Sequence, residues 1–453
     1  MSFETYPLTV PDTPLTVGGR EIVHALAAAG HTAYFAGGWV RDALLGRTEK
    51  DLDLATSATP DQVQKLFPRV TDLQGKSFGV VRVLHGGNTF EIATFRKDGA
   101  YQDGRRPDNV TFTTAAEDAQ RRDFTVNGLF YDPLTLTVID HVGGHADLAG
   151  KTLRCIGQPE ARFAEDYLRM FRAVRFAAEL DFAIEEYTWR TLTMLSQKTA
   201  ALAPERVRDE LVKSLCGSHP LRAFDLLDQS GLFFIWLPEI ELLKGVTQPP
   251  QFHPEGDVFV HTRLMIAGLA PHPDPVLTLS VLLHDIAKPD TRTVDDTGRI
   301  RFNGHESVGA GQAEKILRRL RCSNEQIEAV KMCVAGHMMF KDAPNMRLST
   351  LKRFLARPWF EQELELHRLD CTSSHGLLDI YEMLKAKRAS LSQEEVKPKP
   401  FVTGRDLIQL GLPPGKELGR LLALLMDEQL EGRFADRQAA LTRAEELIKT
   451  GFF

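Results

Sequence analysis

A chain of 453 residues is longer than one hydrophobic core usually supports, so two to four domains are expected. Hydrophobic residues make up 43% of it, enough for sizeable cores, while a formal charge of −6 argues against a protein that holds nucleic acid through net charge alone. Five cysteines (Cys155, Cys216, Cys322, Cys333 and Cys371) form no Cys-x-x-Cys pair, which fits a reducing compartment and no thiolate zinc site.

In chain order, residues 16 to 30 (TVGGREIVHALAAAG) carry Ile22, Val23, Leu26 and Ala27 at helical spacing, with Gly30 as terminator before a strand at 33 to 36. The stretch from Tyr34 to Thr56, YFAGGWVRDALLGRTEKDLDLAT, reads as the catalytic centre. An apolar run turns through Gly37 and Gly38 into a short helix with Arg41 and Asp42, then returns as an extended run. There Asp51 and Asp53, two residues apart, point to one face. A Gly pair after a strand lets the backbone approach a phosphate, and two carboxylates on one face hold hard divalent cations. Each signal alone is weak, since most Gly pairs are turns; in this order they favour phosphate chemistry.

Ser57 to Phe67 reads as a capped helix, and VVRVLHG and TFEIATFR as strands, giving an α/β head. Glu91 in the second of these strands either faces a metal or lies on a solvated edge. Residues 96 to 112 (RKDGAYQDGRRPDNVTF) have loop composition. In QRRDFTVNGLFYDP, Arg121 and Arg122 precede Asp123; paired arginines fork onto phosphates or simply stay solvated. Residues 140 to 150 are turn-rich and close the head.

From Gly157 the pattern is continuous helix, with Phe163, Leu168, Phe171, Val174 and Ala178 on one face. Asp166 and Arg169 lie one turn apart on another, continued by Arg172 and Arg175; spacing alone leaves a surface ion pair or a donor–acceptor pair reading a base edge. A helix over 201 to 215 carries Arg206 and Arg208 in its first turn. The Pro- and Gly-rich stretch 245 to 257 marks a boundary. Beyond it come His261, the adjacent His284 and Asp285 in an apolar segment, His305, His337 and Asp370. A single His in an apolar helix is ordinarily a core residue, whereas this series has the metal-ligand pattern of helical phosphohydrolases. Imidazoles with two carboxylates suit nickel, cobalt or manganese better than magnesium. His305 and His337 either extend the site or stand behind it. The N-terminus shows no leader pattern and no run of about 18 apolar residues occurs, so a cytoplasmic protein without a membrane partner is expected.

GGWVRD with DLDLAT, the RRDFTVN stretch and EDYLR (Glu165 to Arg169) resemble, in that order over about residues 1 to 215, the motifs of the class II tRNA nucleotidyltransferases. That family comprises CCA-adding enzymes with their A-adding and poly(A) polymerase relatives. The segment from FHPEGDVFVHT through HDIAK to Asp370 resembles the HD domain fused to some bacterial members, and the tail from 402 the C-terminal segment of that subgroup. The resemblance implies an α+β protein. A polymerase-β-like head (1–150) would precede an all-α neck and body for nucleotide selection and tRNA binding (151–245), an all-α HD domain (246–400) and a helical tail (401–453).

It further implies that Asp51 and Asp53 bind two Mg2+ ions, with Glu91 as a third carboxylate. Gly37, Gly38, Arg41 and Asp42 would hold the triphosphate, and Arg121, Arg122 and Asp123 the ribose and nucleotide. Asp166 and Arg169 would be the amino-acid template for CTP or ATP, with Arg172 and Arg175 also nucleotide-binding, and the loop at 96 to 112 would help the change from C to A. The HD metal would be held by His261, His284, Asp285 and Asp370. The expected partners are tRNA, CTP and ATP, not DNA. Relatives that add only A or only CC, an HD phosphohydrolase with an inactive head, and a non-catalytic RNA scaffold remain as alternatives.

Overall fold

The Thr13 hydroxyl accepts the Thr16 N–H and the Thr16 hydroxyl accepts the Thr13 N–H, a reciprocal cap that starts helix α1 (Pro14–Ala28) with proline in its first turn. In the computed structural model, which describes residues 3–47, 51–72, 79–99, 110–251 and 253–451, the chain forms two units, Met1–Pro238 and Glu239–Phe453. The division falls slightly before the Pro- and Gly-rich stretch, and the sheet and the helices that follow it belong to one unit.

The first unit is built on an eight-stranded mixed sheet. Its strands are β1 (Glu4–Pro7), β2 (Ala33–Ala36), β3 (Asp53–Thr56), β4 (Val70–Asp72), β5 (Val80–His85), β6 (Asn88–Thr94), β9 (Phe130–Asp132) and β10 (Thr137–Asp140). Their spatial order is β1-β10-β9-β2-β3-β6-β5-β4, and only β3 and β6 run parallel. Ile22, Val23 and Leu26 of α1 are fully buried in the core that also holds Phe35, Leu54 and Ile92. Gly19 makes this close packing possible, because a Cβ there would stand 2.6 Å from Leu52 and 3.0 Å from Phe35.

Helix α2 (Gly38–Leu44) follows β2, and α3 (Pro60–Leu66) follows β3. The region read as a loop carries structure at both ends, because β7 (Arg96–Asp98) pairs antiparallel with β8 (Val110–Phe112). Residues 100–109, the middle of that loop, lie outside the described residues. Helix α4 (Ala115–Gln120) leads into the 3₁₀ turn Thr125–Asn127. The turn-rich segment 140–150 also holds helix α5 (Gly144–Ala149): the Asp140 carboxylate accepts the N–H groups of Val142, Gly143 and His145 and orders its first turn.

The continuous helix expected after Gly157 is broken. Helix α6 (Pro159–Glu165) ends where Asp166 becomes extended (φ −154°, ψ 106°), and α7 (Leu168–Leu180) starts afresh. The reason is local: the Asp166 carboxylate accepts the Leu168 N–H at 3.0 Å, so the side chain supplies a cap in place of the helical ladder. Helices α8 (Glu186–Leu195) and α9 (Pro204–Leu215) complete the part that positions the site.

Among its described residues, the second unit's regular structure is helical apart from one short hairpin, Thr293–Val294 with Ile300–Arg301. All five cysteines are free, and three of them (Cys155, Cys333 and Cys371) are buried. Among the described residues, no helix is long and apolar enough to cross a membrane.

Candidate active site

Strand register, more than loop geometry, assembles the carboxylates. Asp53 opens β3 and stands opposite Ala36, the last residue of β2; on its other side the parallel pairing sets Asp53 beside Glu91 of β6. Residues 51 to 54 alternate between exposed and buried, so Asp51 and Asp53 share the solvent face while Leu52 and Leu54 fill the core. Burial and the neighbouring Glu91 push the Asp53 carboxyl up to about 6, against the opposing charge of Arg122. Glu91 also pairs with Arg82 at 3.3 Å.

A cavity of about 610 Å³ is lined by Asp53 and Glu91, while Asp51 does not line it. Gly37 turns the chain at its edge with φ 67°, a conformation that favours glycine, and a Cβ there would stand 3.0 Å from the Arg122 guanidinium. Arg41 donates to both oxygens of Asp42 (2.9 and 2.8 Å) and to Asn127 Oδ1 (2.7 Å). Asp42 thus braces Arg41 and does not line the cavity itself. Arg121 and Arg122 are both anchored by the buried Asp118, whose carboxyl stays low because these two arginines outweigh the cost of its burial. Arg122 also donates to the Asn127 carbonyl at 3.2 Å and stacks over Phe130.

Asp123 is buried. Its Oδ1 accepts from the Phe124 N–H and the Asn127 amide, and its Oδ2 from Arg172 at 2.8 and 2.6 Å. Burial alone would raise this carboxyl, but Arg172 and Asn127 hold it down at about 2. A folded-state value below the ordinary 3.8 means stability that is fully present above about pH 4 and lost as pH falls through about 2. Asp123→Asn is therefore expected to lower stability by about 2 to 3 kcal/mol at pH 7, the deficit closing between pH 4 and 2. Denaturant unfolding of both proteins across that range checks it.

Asp166 and Arg169 line the same cavity and make no ion pair with each other. Arg206 of α9 donates to Asp166 Oδ2 at 2.7 Å, and Arg169 Nη1 pairs with Glu165 and donates to the Arg162 carbonyl at 2.8 Å. Separate clamps hold the two side chains at the cavity. Arg172 reaches the cavity as well, whereas Arg175 does not line it: its guanidinium pairs with Glu210 at 2.7 Å and packs on Phe176. The wall carries six arginines (Arg41, Arg121, Arg122, Arg169, Arg172 and Arg206) against four carboxylates (Asp53, Glu91, Asp123 and Asp166), an excess of positive charge that suits a polyanion. Asp118, Asn127, Phe176 and Arg206 had no role in the sequence reading. For Asp118 the signal is its spacing three and four residues before the paired arginines; for Asn127 it is its place in the RRDFTVN stretch.

The second unit gathers buried histidines. His261 and His284 face Asp285, and His261 Nε2 lies 3.1 Å from Asp370 Oδ1. Asp285 Oδ2 lies 3.0 Å from His284 Nε2 and 2.6 Å from Lys288 Nζ. Neither Nε2 of His261 nor that of His284 has a partner in hydrogen-bond alignment, although both are buried. The Nδ1 atoms are fixed instead, on Glu255 Oε1 at 2.7 Å for His261 and on the Val281 carbonyl at 2.9 Å for His284. That leaves the Nε2 atoms directed at the carboxylates, a donor set that fits a transition metal. Burial opposes charge on Asp285 and Asp370, but the facing histidines hold both carboxyls well below the usual carboxylate range.

Residues 33–154 match the family described as Poly A polymerase head domain, 181–243 the RNA and SrmB-binding site of polymerase A, and 306–444 tRNA nucleotidyltransferase domain 2. The CCA-adding enzyme of Levilactobacillus brevis is 33% identical over 426 residues, 94% of this chain and 96% of that one. The solved CCA-adding enzyme of Bacillus stearothermophilus, in complex with CTP, is 26% identical and superposes with a TM-score of 0.72 over 97% of this chain and 99% of that one. The Thermotoga maritima CCA-adding enzyme complexed with tRNA shares the fold at 19% identity, with a TM-score of 0.61 over 99% and 100% of the two chains. With one third of its residues identical across nearly the full length of a curated relative, and with its carboxylates and arginines gathered in one cavity, the chain belongs to the class II tRNA nucleotidyltransferases, the family of the CCA-adding enzymes.

Proposed function

We propose that this protein extends the 3′ end of tRNA by C, C and A, taking the nucleotides from CTP and ATP without a nucleic-acid template. The observation that carries this reading is the shared cavity, lined both by Asp53 and Glu91 and by Asp166 and Arg169. Asp51 and Asp53, with Glu91 beside them, would hold two Mg2+ ions, whose preferred ligands are such hard carboxylate oxygens. The chemistry those ions supply when bound is charge neutralisation at the attacking and leaving oxygens. Gly37 and Gly38 leave room for the triphosphate, and Arg122 faces it from the Asp118 anchor. Asp123, locked by Arg172 and Asn127, gives the nucleotide a rigid floor. The RNA 3′-hydroxyl attacks the α-phosphorus in line, a new O–P bond forms as the bond to pyrophosphate breaks, and no covalent enzyme intermediate is required. Purified protein incubated with a tRNA lacking its 3′ end and labelled CTP and ATP should restore CCA. Addition of A alone, and only to a tRNA already ending in CC, would mark an A-adding relative instead.

A second reading concerns the Glu239–Phe453 unit. His261, His284, Asp285 and Asp370 would hold a transition metal such as nickel, cobalt or manganese, with Glu255 fixing the first imidazole. A cavity of about 500 Å³ beside them is lined by Lys288, Arg299, Arg301 and Lys341, which suits a phosphate. A 2′,3′-cyclic phosphate or a phosphate on an RNA 3′ end is the substrate that fits both units, because its removal restores the hydroxyl that nucleotide addition needs. His284→Ala is expected to lose bound metal and hydrolysis of these substrates while CCA addition persists. Lowered stability with unchanged metal content would reduce the histidines to core residues.

A further inference from the structure

Arg162, in the last turn of α6, does not line the nucleotide cavity, and its side chain is only 13% exposed. All three of its guanidinium nitrogens are engaged. Nε donates to the Ile156 carbonyl at 3.2 Å and Nη2 to the Gln120 carbonyl at 2.8 Å, while Nη1 donates to the Arg121 carbonyl at 3.2 Å and to Glu165 at 2.9 Å. Gln120 is the last residue of α4 and Arg121 its cap, so two of these acceptors are carbonyls that a helix C-terminus leaves without a partner in its own ladder. Arg162 satisfies them from a different helix. A planar fork with fixed donor directions can serve several acceptors at once, which the single ammonium of a lysine cannot do from one position.

The same residue reaches Arg169. Its carbonyl accepts from Arg169 Nη1 at 2.8 Å, and Glu165 takes Arg162 and Arg169 together. These contacts span the interruption at Asp166, where the helical ladder between α6 and α7 is replaced by a side-chain cap. On the far side, Asp118 of α4 pins both Arg121 and Arg122 and also accepts the Arg96 N–H at 3.1 Å. The short segment 118–122 thus carries two of the cavity's arginines, and Arg162 is the side chain that ties its carbonyls to the cluster holding Arg169.

We propose that Arg162 is a positioning residue that fixes the base-reading Arg169 relative to Arg121 and Arg122, the arginines on the triphosphate side, so that a correctly seated base sets the α-phosphate at the Asp53 carboxylate. The inference rests on the nucleotide-adding reading given above. A nucleotide is gripped at two ends, its base and its triphosphate, and reaction requires both grips at one spacing. Loosening the link lets a poorly paired base slide until its phosphate is in place, which erodes selectivity. It also leaves Arg121 and Arg122 less preorganised, which weakens the hold on a triphosphate. Arg162 itself touches neither end of the nucleotide.

The test compares the full chain with Arg162→Lys, Arg169→Ala and the double variant. Competition between CTP and UTP on a tRNA lacking its 3′ end reads selectivity, and inhibition by inorganic tripolyphosphate reads the triphosphate grip. Arg162→Lys is expected to lower the preference for CTP roughly 5-fold or more and to weaken tripolyphosphate inhibition, while in the Arg169→Ala background the same change moves the preference by less than about twofold. Selectivity and inhibition both unchanged in Arg162→Lys, with only a lower melting temperature, would make the residue a structural brace and overturn the proposal. Movement of one readout without the other overturns the link, because Arg162 would then serve that end alone. A full further loss of selectivity in the Arg169→Ala background overturns it too, since Arg162 would act independently of Arg169. If Arg162→Lys fails to fold, Arg162→Gln is read in the same way. A wild-type chain that incorporates no nucleotide overturns the nucleotide-adding reading itself, an outcome separate from any difference between active wild type and variant.

Discussion

Asp53→Ala is expected to lower nucleotide incorporation by about three powers of ten or more while leaving the fold intact, since on the proposed reading it would remove a ligand from the centre that neutralises both reacting oxygens. The structure adds a sign for stability. Burial first and then Glu91 in the next strand push the Asp53 carboxyl up to about 6, so above that pH the folded, metal-free protein carries an ionised group that it disfavours. The ordinary value is 3.8, and the penalty vanishes below it. Asp53→Asn should therefore melt at a higher temperature than the native chain at pH 8 in chelator, at the same temperature at pH 3.5, and at a lower one than the native chain when saturating magnesium is present. Labelled CTP incorporation and thermal melts with and without metal check both halves. Near-native incorporation by the alanine variant would remove Asp53 from the catalytic centre. Loss of activity with a lower melting temperature in chelator would make it a structural residue. Activity here is set against stability, as expected where like charges are held together for a cation.

What was legible in the sequence is what is local. The alternation at Asp51, Leu52, Asp53 and Leu54 sets the carboxylates on the solvent face because strand geometry has a period of two, and the Gly37 turn is visible because few other residues accept its φ. The neighbour of Asp53 was less accessible. Glu91 reaches it only through the parallel pairing of β3 with β6, and nothing in the flanking Phe90 and Ile92 distinguishes that from a solvated edge. The break at Asp166 was masked for a different reason: Phe163 and Leu168 fall on the apolar face whether or not the helix is continuous, so periodicity reads straight through a side-chain cap. Arg206 sits in the first turn of an ordinary amphipathic helix, and its role appears only when α9 brings it against Asp166, forty residues earlier in the chain. In the second unit the histidine and aspartate series was visible as a pattern, while the Nδ1 anchors that direct each ring are mostly backbone carbonyls, which no sequence pattern reports.

The clamps on Asp166 and Arg169 lead to the second large effect, a loss of base selectivity. Arg206 and the Leu168 N–H each engage one oxygen of Asp166, and a carboxylate oxygen accepts more than one hydrogen bond, so the group stays fixed and can still accept from a base. Arg169 is pinned through Nη1 by Glu165 and the Arg162 carbonyl, and its guanidinium has further donors. An acceptor beside a donor matches the pairing edge of cytosine, with its N4 amino group next to N3, and that of adenine, with N6 next to N1. Uracil and guanine present the reverse order, a carbonyl beside an N–H, and would leave both protein groups facing like partners. Each lost contact is worth roughly 1 to 3 kcal/mol, or about 5- to 150-fold in discrimination. Asp166→Ala and Arg169→Ala should thus reduce the preference for CTP and ATP over UTP and GTP by that factor, and by more than they reduce turnover with the best nucleotide. Arg206→Ala, which only loosens Asp166, should produce a smaller loss in the same direction. Competition assays with all four nucleotides on a tRNA lacking its 3′ end measure it. Selectivity unchanged in Asp166→Ala would show that the base is read elsewhere. Equal losses in all three variants would mean that Arg206 touches the nucleotide itself.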